Sequence, residues 1–218
     1  MIKLTKTDEP AVLANNRVAW TAELLAAVEA GNKDVVNKIT SKYNHKDVKD
    51  ALKIETNEKC AYCEAKITDV AYGDIEHVTP KVSNRDRTFD WQNLTLACSP
   101  CNTNKGIKEG IIDPYQDEPS EHIFFIGAFI KAKTDRGLTT ILELELNRTP
   151  LIESRNREIE RYANEIEKIF LIDNDRIKTL LMSNILTEIK TKKQEFTAAC
   201  LTIVMSQFSD MNAQHADA

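Results

Sequence analysis

Apolar residues along the first quarter of the chain recur at helical spacing. Leu13, Trp20, Leu24 and Val28 form one stripe, and Gly31 is a natural stop. Pro10, behind Thr7, Asp8 and Glu9, suits a first-turn position where a missing N–H costs nothing. Val35, Val36 and Ile39 mark a second helix, and Val48, Leu52 and Ile54 a third. Residues 1–58 therefore read as a helical packing layer. The pattern breaks over 59–112, where polar residues and cysteines concentrate. It resumes as a hairpin over 121–146. There Ile123-Phe124-Phe125-Ile126 is strand-like, Asp135-Arg136-Gly137 reads as the turn, and Leu142, Leu144 and Leu146 alternate with Glu143 and Glu145. Helical spacing returns over 150–207, opened by Thr149 as N-cap and Pro150 behind it. Its stripes are Ile152, Ile159, Tyr162, Ile166 and Ile169, then Ile177, Leu181, Ile185 and Ile189, then Phe196, Ala199, Cys200, Ile203 and Val204. Cys200 on that last face reads as a small core residue. Residues 212–218 are expected to fray. The fold class is α+β, mainly α.

Composition narrows this picture without redirecting it. The 218 residues suit one large domain or two small ones, and 42% hydrophobic with 29% charged residues is ordinary globular material. No apolar run approaches the roughly 20 residues of a membrane helix. The first ten residues lack the apolar stretch of a secretory signal, so a cytosolic protein with no membrane partner is expected. The net charge of −5 excludes a strongly basic DNA coater but not local contact with nucleic acid.

Four of the five cysteines form two pairs, Cys60-Ala61-Tyr62-Cys63 and Cys98-Ser99-Pro100-Cys101. In a reducing compartment such pairs are metal ligands rather than disulfides. Each Cys-x-x-Cys turn presents two sulfurs, and two turns complete the tetrahedral shell of a structural Zn²⁺. The 34 residues between Cys63 and Cys98 exceed the usual ribbon gap, so the ion would pin a long insert at both ends.

The insert contains Asp74-Ile75-Glu76-His77-Val78-Thr79-Pro80-Lys81 and then Trp91-Gln92-Asn93-Leu94. Asn102-Thr103-Asn104-Lys105 follows the last cysteine. His77, Asn93 sixteen residues on, and Asn102 nine further resemble the HNH nuclease family, whose core is a ββα-metal fold. Both cysteine pairs bracket the motif as in its zinc-bearing members. The resemblance divides the chain into a helical region 1–58, a zinc-pinned HNH unit 59–112, and a hairpin plus helical region 113–218 for partner docking. It implies His77 as general base, suited to proton removal near neutral pH. It implies Glu76 and Asn102 as ligands of one catalytic Mg²⁺ or Mn²⁺, and Asn93 as the brace that aligns the base. In a flat strand Glu76 and His77 point to opposite faces, so the strand must bulge or end there. Asp74 shares the face of Glu76 and reads as a ligand, an orienter of His77 or a surface residue. Asn102 and Lys105 share a helix face, which would let Lys105 reach substrate phosphate. Lys81, Arg85, Arg87 and Lys108 would extend a local basic path. Trp91, Leu94, Tyr62 and Tyr72 read as core.

The likeness extends beyond the insert. Met1-Ile2-Lys3-Leu4, Cys60-Ala61-Tyr62-Cys63-Glu64, Ile111-Ile112-Asp113-Pro114 and Asp117-Glu118-Pro119-Ser120-Glu121-His122-Ile123 resemble the HNH effectors of Septu-type anti-phage systems, the PtuB-like proteins, retron-linked members included. That resemblance implies cleavage of nucleic acid, DNA foremost. It also implies a PtuA-like ABC/SMC-type ATPase as partner, joined in retron-linked systems by a reverse transcriptase with its DNA–RNA hybrid. No Gly-x-x-x-x-Gly-Lys-Ser/Thr loop occurs in the chain, so the nucleotide-driven part would lie in the partner. A non-catalytic zinc module that binds nucleic acid or a partner is the alternative, motivated by the acidic balance and by Asn at the third motif position.

Overall fold

In the computed structural model, which describes residues 1–68 and 71–216 with side chains as far as 208, three N-terminal helices form a layer. They are α1 (Ala11–Glu29), α2 (Lys33–Thr40) and α3 (Lys46–Thr56). Pro10 is the N-cap of α1, one position earlier than expected, and its carbonyl accepts from the amides of Leu13 and Ala14. Gly31 at φ +69° ends α1, where a β-carbon would be strained. The Asn32 side chain caps α2 by accepting from Val35 N. Leu13, Leu24, Val48 and Leu52 are buried. Val28 and Ile54 are exposed, so the stripes are narrower than the sequence suggested.

The insert folds as an antiparallel ribbon, β1 (Asp74–His77) and β2 (Leu94–Ala97), in register from Asp74 opposite Ala97 to His77 opposite Leu94. Helix α4 (Ser99–Lys105) follows and packs on β1, while α3 packs on β2. The first ten residues are extended and stitched to this unit. Leu4 N donates to Pro114 O, Lys6 donates to Leu94 O and Glu55, and Trp91 Nε1 donates to Thr7 O.

Downstream, a short helix α5 (Pro119–His122) leads into the hairpin β3 (Ile123–Ile126) and β4 (Phe129–Ala132). The hairpin is shorter than expected and turns at Gly127, φ +55°. The residues read as its turn, Asp135-Arg136-Gly137, instead open α6 (Asp135–Glu143), which takes in Leu142, while Leu144 and Leu146 lie in the turns that follow it. Thr134 caps that helix by accepting from Gly137 N, which overrides the alternation of Leu142, Leu144 and Leu146. Gly137 is needed for close approach rather than for a turn, since a β-carbon there would lie 2.0 Å from His122 O. Helices α7 (Thr149–Phe170), α8 (Asp175–Lys190) and α9 (Thr197–Ala216) pack together as the C-terminal body. Thr149 is its first helical residue rather than its cap. Cys200 is buried in this core. The backbone of α9 is helical to Ala216, so the fraying expected at 212–218 is not seen over 212–216, and 217–218 lie outside the described residues. Among the described residues, no helix is long and apolar enough to cross a membrane.

Candidate functional site: a cysteine-clamped ribbon

The four paired cysteines converge, with all four Sγ atoms within 4.8 Å of one another and Cys63 Sγ 3.7 Å from Cys98 Sγ. Two local devices bring them there. Residues 59–66 form a knuckle in which Cys60 N donates to Ala65 O, Glu64 N donates to Cys60 O, and Glu64 sits at φ +66° to close the turn. On the other side Cys98 precedes α4 and Cys101 lies in its first turn, where Pro100 costs no hydrogen bond. Ala61 N donates to Leu96 O and ties the knuckle to β2. Hydrogen bonds from Cys101, Cys60 and Cys63 hold the Cys98 thiol well below its ordinary range. Four converging sulfurs with this spacing suit a tetrahedral ion. The Arg148 guanidinium lies 3.7 Å from Cys101 Sγ and 4.0 Å from Cys98 Sγ, a cation placed against the sulfur cluster. Sequence reading missed Arg148, because no spacing ties it to the cysteines.

His77 ends β1 without a bulge and is 4% exposed. Its Nε2 lies 2.9 Å from Thr88 O. A carbonyl only accepts, so Nε2 carries the proton and Nδ1 keeps its lone pair. Burial lowers the imidazole from its usual range to about 4, so it is neutral at neutral pH. Tyr43 stands edge-on to the ring, centroids 4.6 Å apart, and Lys81 Nζ donates to Tyr43 Oη at 2.8 Å. Neither Thr88 nor Tyr43 carried a sequence signal, because both contacts join segments distant along the chain.

Strand alternation puts Asp74 and Glu76 on one face of β1, and α4 covers it. Two pairs form there. Asp74 Oδ2 accepts from Asn102 Nδ2 and from Ser99 Oγ, each at 3.1 Å. Glu76 Oε1 accepts from Lys105 Nζ at 2.9 Å, and the same ammonium donates to His77 O at 2.8 Å. Burial pushes Glu76 up, opposed by the Lys105 charge. The expectation that Lys105 reaches substrate is thereby corrected: the side chain is wholly buried and spent on Glu76 and the strand end. Among the described residues the cysteine cluster is the single group of three or more His, Cys, Asp or Glu placed to hold an ion.

Asn93 is fully buried at the head of β2. Its Oδ1 accepts from Thr79 N at 2.7 Å, and its Nδ2 donates to Thr79 O and Arg87 O at 3.0 and 3.2 Å. The loop 78–93 is thus clamped across its neck. The expected basic path is largely engaged within the chain. Arg87 pairs with Asp90 at 2.9 Å, Lys108 pairs with Glu143 at 2.5 Å, and Lys81 is taken by Tyr43, while Arg85 is half-buried in a single 3-10 turn. Trp91, Leu94 and Tyr62 are core as expected. Tyr72 is 84% exposed and is not.

A two-stranded ribbon and helix, closed by four sulfurs and carrying this His and Asn, define a ββα unit, and residues 60–108 match the HNH endonuclease family. Beyond that unit the chain is similar to the Septu protein PtuB of Bacillus thuringiensis, 34% identical over 152 residues, or 67% of this chain. It is also similar to the Septu protein PtuB of Bacillus mycoides (strain KBAB4), 28% identical over 223 residues, covering 83% of this chain and 74% of that protein. The match spans 55% of the Bacillus thuringiensis relative's length. The chain is a PtuB-like protein built around an HNH endonuclease unit.

Proposed function

We propose that this chain is the nuclease subunit of an anti-phage defence assembly and hydrolyses phosphodiester bonds in nucleic acid, DNA foremost. The observation that carries the reading is the His77 tautomer: a buried, neutral imidazole with Nε2–H fixed on Thr88 O and Nδ1 left as base. In this reading His77 deprotonates the attacking water. Asn93 holds the loop that supplies Thr88, and Lys105 positions Glu76 and the end of β1. Asp74 and Asn102, already in contact, together with Glu76 are the oxygen donors for one Mg²⁺ or Mn²⁺. Two carboxylates and an amide suit that ion, which completes its shell with water and phosphate oxygens. When bound, such an ion supplies positive charge to the phosphorane and the leaving oxygen. Zn²⁺ on the four cysteines is structural in this account. Placement on substrate is assigned to a PtuA-like ATPase partner. In a retron-linked setting a reverse transcriptase with its DNA–RNA hybrid joins it, and the gene neighbourhood decides between the two.

One observation favours a second reading, a non-catalytic zinc module: His77 is buried, with Tyr43 standing against its ring. The two readings separate in a cleavage assay on the protein purified with its genomic neighbours. The nuclease reading expects cutting with Mg²⁺ or Mn²⁺ that stops with EDTA while zinc stays bound. Binding of nucleic acid or partner without metal-dependent cutting supports the module instead.

A further inference from the structure

The hairpin and α9 enclose an apolar groove of about 540 Å³ that shares no lining residue with the ribbon or the cysteine cluster. Alternation along β3 buries Ile123 and turns Phe124 outward, where it is 38% exposed. Across the groove, Leu201 and Met205 stand one turn apart on α9, and Met205 is 54% exposed. Three lysines stand among these apolar residues. Lys3 Nζ donates to Asp117 O at 2.8 Å, Lys133 Nζ to Ser120 O at 2.9 Å, and Lys192 Nζ to Lys3 O at 2.9 Å. Carbonyls orient these ammonium groups without neutralising them, and among the described residues none of the three forms an ion pair. Among the described residues Glu118 is the one carboxylate lining the groove, and its Oε1 is engaged by the amide and hydroxyl of Ser120.

An uncompensated cationic rim around an apolar floor is unusual in a chain of net charge −5. Its complement presents apolar side chains flanked by carboxylates. A nucleic-acid strand would match the lysines but leave the aliphatic floor uncovered. We infer that the groove docks an acidic amphipathic segment of a partner protein. The inference rests on the partner reading above, which makes the ATPase the source of that segment.

The test measures binding of the purified ATPase encoded beside this gene to the full-length chain, after nuclease treatment, by titration calorimetry. The charge reversals Lys133→Glu with Lys192→Glu should raise Kd roughly thirtyfold, the scale of an interface hot spot. Met205→Glu, at an exposed position, should weaken binding in the same direction. Lys133→Arg with Lys192→Arg should retain it, and binding should weaken as salt rises. Thermal melts and zinc content establish that each variant is folded. If the wild type binds and the folded variants bind equally well, the groove assignment fails while the partner reading stands. A complex that nuclease treatment dissolves also overturns the assignment, because the groove then serves nucleic acid. Absence of any wild-type complex overturns both.

Discussion

At the scale of single residues, the site depends on which atoms are already occupied. The Thr88 carbonyl holds one nitrogen of His77, so the other keeps its lone pair, and this follows from geometry before any pKa is considered. Asn93 makes three hydrogen bonds from a fully buried position. Asn93→Ala strands the amide and carbonyl of Thr79 and the carbonyl of Arg87, and should cost roughly 2–4 kcal/mol in urea denaturation. A loss below half a kcal/mol would mean the loop is held elsewhere. Lys105 is a similar case. Lys105→Met leaves a buried carboxylate unpaired and should destabilise by about 3 kcal/mol. Adding Glu76→Gln should restore much of that, and if the double variant is no better than the single, the pair is not coupled as described. The family resemblance assigned Glu76, Asn93 and Lys105 to one site in separate roles. It could not show that Lys105 is buried, because solvent access depends on how α4 packs.

At the scale of elements, β1, β2 and α4 were legible because cysteine spacing and the His–Asn–Asn order constrain where strands and helix must lie. The second strand expected for the hairpin does not form at 142–146. Leu142, Leu144 and Leu146 alternate as a strand would, yet Ile141 and Leu144 also stand at helical spacing, and Thr134 starts a helix. Gly137 marks the deciding contact, since α6 lies against the His122 carbonyl with no room for a side chain. Gly137→Ala should lower stability by about 1–3 kcal/mol through overpacking, visible as an earlier thermal transition. A gain in stability, as expected for Ala replacing Gly in an uncrowded helix, would show that α6 does not pack this way.

At the scale of the whole molecule, the cysteine cluster joins parts that the sequence listed separately. The knuckle reaches the C-terminal body through Lys59, whose Nζ donates to Gln194 O at 2.8 Å, and through Glu64 O, which accepts from Phe196 N. Arg148 brings the start of α7 to the sulfurs. Removal of the ion is therefore expected to loosen more than the insert. Elemental analysis should find about one zinc per chain, and Cys98→Ser should abolish the cooperative melt of the HNH unit rather than merely slow cutting. A Cys98→Ser protein with an unchanged melt and no bound zinc would remove the structural role. These long-range ties left no trace in local sequence pattern, because each joins residues with no fixed spacing.

The proposal that His77 is the general base of a metal-dependent nuclease is open to direct measurement. Its most direct test is the single-turnover cleavage rate of labelled DNA by the assembled complex with Mg²⁺ or Mn²⁺, wild type against His77→Ala. The prediction is a fall of at least about a hundredfold, the scale of general-base catalysis, with zinc content, fold and complex formation retained. A folded, zinc-bound His77→Ala complex that cuts at the wild-type rate would contradict it.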